Sequence, residues 1–100
     1  VSDKEYFQYL SLDDRLKVKF TTRNGKVTFF VVQYYAKING KWKTVMRADN
    51  CHVTAHLHTY YLQSKEYKVL LNKENNVALV EARDHISKDF LKIKENYLNN

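Results

Sequence analysis

One hundred residues, 44% hydrophobic and 14% aromatic, suit one folded domain spanning 1–100 and exclude a disordered chain. There is no proline and there are only two glycines, so regular elements with tight connections are expected. The single cysteine excludes an internal disulfide and a cysteine zinc cage and points to a reducing, cytoplasmic setting; the formal charge of +6 favours a polyanionic partner, and no apolar run approaches the roughly 20 residues of a membrane helix.

Residues 2–12 read as a short amphipathic helix or arm, with Ser2 or Asp3 as cap and Tyr6, Phe7 and Leu10 at helical spacing. Leu16 to Thr22 alternates apolar and polar residues, the pattern of a half-buried strand. Asn24-Gly25 then marks a hairpin, because both residues accept positive φ. Val27 to Ile38 is a long strand rich in β-branched and aromatic residues, and Asn39-Gly40 turns the chain again into a third strand, Lys41 to Ala48. Asp49 to His52 is expected as a loop, Val53 to Leu62 as a fourth strand, and Tyr67 to Leu71 as a short fifth. Asn75 or Asn76 caps a helix from about Val77 to Leu98, whose stripe is Val77, Leu79, Val80, Ala82, Ile86, Phe90, Ile93 and Tyr97. The expected fold class is α+β: an antiparallel meander of four to five strands with one long helix packed on one face.

The charge is unevenly placed. Residues 1–15 set Lys4 and Arg15 against Asp3, Glu5, Asp13 and Asp14, a balance of −2. Residues 16–48 carry Lys17, Lys19, Arg23, Lys26, Lys37, Lys41, Lys43 and Arg47 with no acid, a balance of +8. Such a field on one segment is the footprint of a nucleic-acid binder.

Two-residue loops at Asn24-Gly25 and Asn39-Gly40 fix a register. They pair Phe20 with Phe29, Val18 with Val31, Tyr35 with Thr44 and Val32 with Arg47. Directly opposed residues share a face. One face is then Leu16, Val18, Phe20, Val27, Phe29, Val31, Tyr35, Trp42 and Met46, the expected core under the helix. The other holds Lys17, Lys19, Thr28, Phe30, Val32, Tyr34, Lys43, Val45 and Arg47. If Ala48 pairs with Val53, then Thr54, His56, His58 and Tyr60 join it. Aromatic rings flanked by cations stack bases and neutralise phosphates. Lys17, Lys19, Phe30, Tyr34, Lys43 and Tyr60 are therefore the candidate nucleic-acid-binding residues. The competing expectation is that this face is covered, by residues 6–10 or by a second copy of the chain.

Three of the four histidines and the only cysteine lie between Arg47 and His58. His56 and His58 are two apart on a strand and point the same way. Together with His52 their spacing is compatible with a metal site. The preferred chemistry needs no metal and no cofactor. RNA cleavage through its 2′-hydroxyl requires a base, an acid and a cation for the phosphorane charge. His56, His58 and Arg47 supply those parts, with Asp49 and His52 positioning them. Cys51 beside His52 is a weaker nucleophile candidate, and His85 is expected to face solvent.

Gln33-Tyr34-Tyr35, Gly40-Lys41-Trp42, Arg47-Ala48-Asp49-Asn50-Cys51-His52 and His56-Leu57-His58 give residues 31–62 a further association. There the chain resembles small uncharacterised prokaryotic proteins, among them TumE-like toxin components of toxin–antitoxin pairs. The resemblance implies RNA or the translation machinery as target and a cognate protein as partner. The function expected is thus a basic nucleic-acid-targeting protein, RNA preferred, acting as a metal-independent ribonuclease. The alternative is a non-catalytic binding or interaction module, including an antitoxin-bound or viral accessory protein. A homodimer is compatible with both; a membrane partner is not expected.

Overall fold

The computed structural model describes the backbone of residues 1–52, 54–60, 65–70 and 74–99, and the side chains of 1–50, 57–60 and 74–99. Among the described residues, six strands follow one another in space as in sequence: β1 (Ser2–Ser11), β2 (Asp14–Arg23), β3 (Lys26–Ile38), β4 (Lys41–His52), β5 (Thr54–Tyr60) and β6 (Lys65–Leu70). Every adjacent pair is antiparallel. One helix, α1 (Asn75–Asn99), packs on one side of this sheet, chiefly over β3 and β4. The fold is α+β, as the alternating runs and the terminal helical stripe imply. No helix among the described residues is long and apolar enough to cross a membrane.

Residues 2–12 correct the expectation of a helix or arm. They form the edge strand β1, joined to β2 through Leu12-Asp13. Tyr6-Phe7-Gln8-Tyr9 fits two periods equally well over so short a span, and pairing with β2 decides between them. The hydroxyl of Ser11 donates to Asp14 at 2.6 Å and accepts from the Asp13 amide at 3.1 Å, which holds that turn. Both Asn-Gly turns form as expected. Asn24 and Asn39 each have φ of 53°, followed by Gly25 at 75° and Gly40 at 77°, the left-handed pair that a two-residue hairpin requires.

The faces differ from the ideal hairpin register because of two bulges. Thr22 pairs with Val27, but Thr21 pairs with Phe29, so Thr28 is an extra residue. Tyr35 pairs with Thr44, but Tyr34 pairs with Met46, so Val45 is another. A one-residue insertion sends the following side chains to the opposite face. The first bulge reverses everything from Phe29 onward, and the second restores the original sense from Met46. The core consequently contains Leu16, Val18, Phe30, Val32, Tyr34, Ala36, Met46 and Ala48, with Val45 buried at its bulge. Phe29, Val31, Tyr35 and Trp42 instead share the side that carries Lys17, away from α1.

The helix covers this core with Ala78, Leu79, Ala82, Ile86, Ile93 and Tyr97, and with Phe90 partly buried. Val77 and Val80, placed in the stripe from sequence, are 44% and 42% exposed. Ala78 sits in their stead, beside Ala82 as expected, because small side chains let a helix approach the sheet closely. The side chains of Asn75 and Asn76 do not cap α1. Asn76 Oδ1 accepts the Val27 amide at 3.0 Å and Asn75 Nδ2 donates to the Val27 carbonyl at 3.0 Å. They join the start of the helix to β3 beside the Thr28 bulge.

Candidate nucleic-acid interface

Register sets the open face in rows. Tyr9, Arg15, Tyr35 and Thr44 lie side by side across β1 to β4. The next row is Phe7, Lys17, Gln33, Arg47 and His58, and the third is Glu5, Lys19, Val31, Asp49 and His56. No described element packs over these rows. Lys17, Lys19, Phe29, Val31, Gln33 and Arg47 line an open depression of about 220 Å³ at their centre.

Arg15, Lys17 and Lys19 alternate along β2, so their Cα atoms stand about 7 Å apart on one side of the sheet. Lys17 Nζ contacts Glu5 at 3.2 Å across the β1–β2 ladder. Gln33 Nε2 donates to Thr44 Oγ1 at 2.8 Å, which keeps both polar groups on the open side. Around Arg15 gather Phe7, Tyr9, Tyr35 and Trp42, contributed by β1, β3 and β4. Phe29 follows at the other end of the face, opposite Thr21.

At the β4–β5 side, Asp49 stands beside Arg47 and His58. Arg47 Nε donates to Asp49 Oδ2 at 2.8 Å, a charge-assisted bond within the strand's own face. His58 Nε2 lies 3.7 Å from the same oxygen, beside it but beyond hydrogen-bond range. The Asp49 side chain is only 5% exposed, so its charge is compensated locally rather than by water. The His58 ring stacks on Tyr60 with centroids 6.5 Å apart and planes at 26°. Asn50, next in sequence, turns away to the core, where its amide accepts from Phe30 N and donates to Thr28 O, both at 3.0 Å.

The sequence candidates thus divide. Lys17, Lys19, Arg47, Asp49 and His58 meet on the open face. The backbone of His56 stands opposite Asp49 on the same face; its side chain, with those of Cys51 and His52, lies outside the described residues. Ala48 pairs with Leu57 rather than Val53. That offset of four residues is even, so the imidazole positions keep the side inferred for them. Phe30, Tyr34 and Lys43 fall between the two bulges and are turned to the helix side. Phe30 and Tyr34 are fully buried there, and Lys43, opposite Ala36, is exposed beyond the helix. His85 is exposed on α1, 3.3 Å from Asp89, and borders a pocket with Glu81, Ala82 and Leu57 of β5.

Sequence reasoning missed Phe7, Tyr9, Arg15, Phe29, Tyr35 and Trp42 as members of this face. One signal for the flip was available. The unbulged register puts Gln33 among the core residues, and an uncharged amide there would have lacked a partner.

The arrangement defines a class: a two-layer α+β protein whose antiparallel sheet has one face under a helix and the other set with cations, aromatic rings and an Arg–Asp–His group. Over residues 1–100 the chain matches the family described as a domain of unknown function, DUF7718, and it belongs to that family. Comparison with curated proteins and with solved structures gives no match.

Proposed function

We propose that the protein binds single-stranded RNA on the sheet face that α1 leaves open. The observation that supports this most is the row Arg15, Lys17 and Lys19 on β2, bordered by Phe7, Tyr9, Phe29, Tyr35 and Trp42 and continued by Arg47 on β4. Cations spaced along a strand follow a phosphate backbone, while rings on the neighbouring strands offer stacking surfaces to bases splayed from it. A protein-only partner would use the rings but has less need of three alternating cations.

The experiment is a fluorescence-anisotropy titration of a labelled RNA oligomer at several salt concentrations. Binding that weakens steeply with salt, and by roughly tenfold or more in a Lys17→Glu, Lys19→Glu double variant, supports the reading. Salt-independent binding, or none, rejects it.

The convergence of Arg47 and His58 on Asp49 favours a second activity at the same surface. In it, the bound RNA is cut by attack of a 2′-oxygen on the adjacent phosphorus. His58 and His56 remove the 2′ proton and protonate the departing 5′-oxygen, and Arg47 balances the charge on the phosphorane. Asp49 and His52 position these groups. The toxin-like resemblance around Arg47 to His58 points the same way and adds a cognate protein that would cover the face in the cytoplasm. Cleavage that survives EDTA and disappears in His56→Ala or His58→Ala supports this activity. Binding without cleavage leaves a recognition module.

A further inference from the structure

The guanidinium carbon of Arg15 lies 4.2 Å from the ring centroid of Trp42 and 4.7 Å from that of Phe7, with Tyr35 at 5.7 Å and Tyr9 at 5.9 Å. Rings at such distances stabilise a cation through their faces, and they do not accept its in-plane N–H groups. One of those donors, Nη1, reaches Tyr9 Oη at 3.2 Å. The buried Nε has no hydrogen-bond partner among the described residues. No carboxylate among the described residues forms an ion pair with Arg15. A second cation, Lys37 Nζ, lies 6.0 Å from the same Trp42 ring.

A planar cation held by rings, with donors to spare and no counter-ion among the described residues, matches an oxyanion supplied from outside. We propose that Arg15, assisted by Lys37, is the seat of a terminal phosphate of the bound RNA. This rests on the RNA reading above and adds to it a chemical end and a place. Arg15 is the first open-face residue of β2, so the cationic row starts there and runs on through Lys17 to Lys19. A strand anchored at its end would lay its next phosphates along that row. Two cations around one ring also match the charge of a phosphate monoester, about −2 near neutral pH, better than the single charge of an internal diester.

The structural alternative is that Arg15 only ties β1 to the sheet by holding Phe7 and Tyr9 against Trp42. The two are separated with three internally labelled oligomers of one sequence, carrying a 5′-phosphate, a 3′-phosphate or hydroxyls at both ends. Their dissociation constants are measured on the unaltered protein and on Arg15→Lys and Lys37→Gln, with thermal melts of each protein alongside. One phosphorylated form is expected to bind about tenfold tighter than the hydroxyl form, and its identity names the end that is read. That advantage should fade below about pH 6 as the monoester dianion takes up a proton and becomes a monoanion. It should vanish in Arg15→Lys, which keeps the charge but not the fork, and shrink in Lys37→Gln. Equal binding of all three oligomers by the unaltered protein overturns the terminal-phosphate site and leaves the RNA reading standing. An advantage that persists in a folded Arg15→Lys protein overturns the assignment to Arg15. Failure of every oligomer to bind removes the RNA reading and this inference together.

Discussion

Asn50 sits inside the stretch that looks most chemical in sequence, yet both arms of its amide are bonded to the backbone of β3, at Thr28 O and Phe30 N. It takes the place of a ladder partner just beyond Val31–Asp49, where the β3–β4 register ends. Asn50→Ala should therefore leave the buried Phe30 amide and the part-buried Thr28 carbonyl without this partner and lower stability by about 2 kcal/mol in denaturant unfolding. Tyr34 carries a comparable role deeper in the core. Its hydroxyl donates to Asp14 at 2.5 Å, and Asp14 also accepts from Ser11 and lies 3.4 Å from Lys94. Burial pushes the Tyr34 phenol well above its ordinary value of 10.0, and the bond to Asp14 and the charge of that carboxylate push it the same way. The unfolded phenol loses its proton first as pH rises. The stability linked to it is thus complete below pH 10 and is lost as pH climbs from there toward the raised folded value. The stability advantage of the native protein over Tyr34→Phe should then shrink by about 1.4 kcal/mol per pH unit above 10. Equal slopes for the two proteins in alkaline denaturation curves would contradict this account.

Strands and turns were mostly legible in the sequence, and the reason is local chemistry. Asn24-Gly25 and Asn39-Gly40 supply the positive φ values that few other residues accept. No side chain or backbone lies within 4 Å of a Cβ added at either glycine. Gly25→Ala or Gly40→Ala should therefore cost only backbone strain, about 1–2 kcal/mol in a thermal or denaturant melt. What the sequence did not show was the pair of bulges, because Thr28 and Val45 are ordinary strand residues and nothing local marks them as extra. Between them the inferred faces are inverted, which exchanged Phe30 and Tyr34 for Phe29 and Tyr35 and sent Lys43 to the wrong side. Outside them the inference holds, so Lys17, Lys19 and Arg47 share one face as expected. β1 was misread for a different reason: an edge strand supported on one side alternates weakly, and Tyr6, Phe7, Tyr9 and Leu10 satisfy a helical period as well. The bulges also make a functional distinction. Lys19→Glu should weaken RNA binding several-fold and reduce the salt slope by about 1 or more, whereas Lys43→Glu, of equal charge change, should have a much smaller effect. Equal effects of the two, measured by the same anisotropy titration, would mean that net charge and not the open face attracts the ligand.

At the scale of the whole molecule, one helix covers one side of a six-stranded sheet and leaves the other to cations and rings. The core under α1 contains none of Phe7, Tyr9, Tyr35 and Trp42. Those side chains are concentrated where Arg15 and, from the basic segment, Lys17, Lys19 and Arg47 also stand. The chain contains a single tryptophan, Trp42, and it stands on that open side against Arg15. Its intrinsic fluorescence is therefore a reporter of occupancy placed by the protein itself. Titration with a single-stranded RNA oligomer should change Trp42 emission saturably, with a midpoint that moves to higher RNA concentration as salt is raised. Unchanged emission at RNA concentrations that saturate anisotropy-detected binding would put the ligand on another surface and contradict the account.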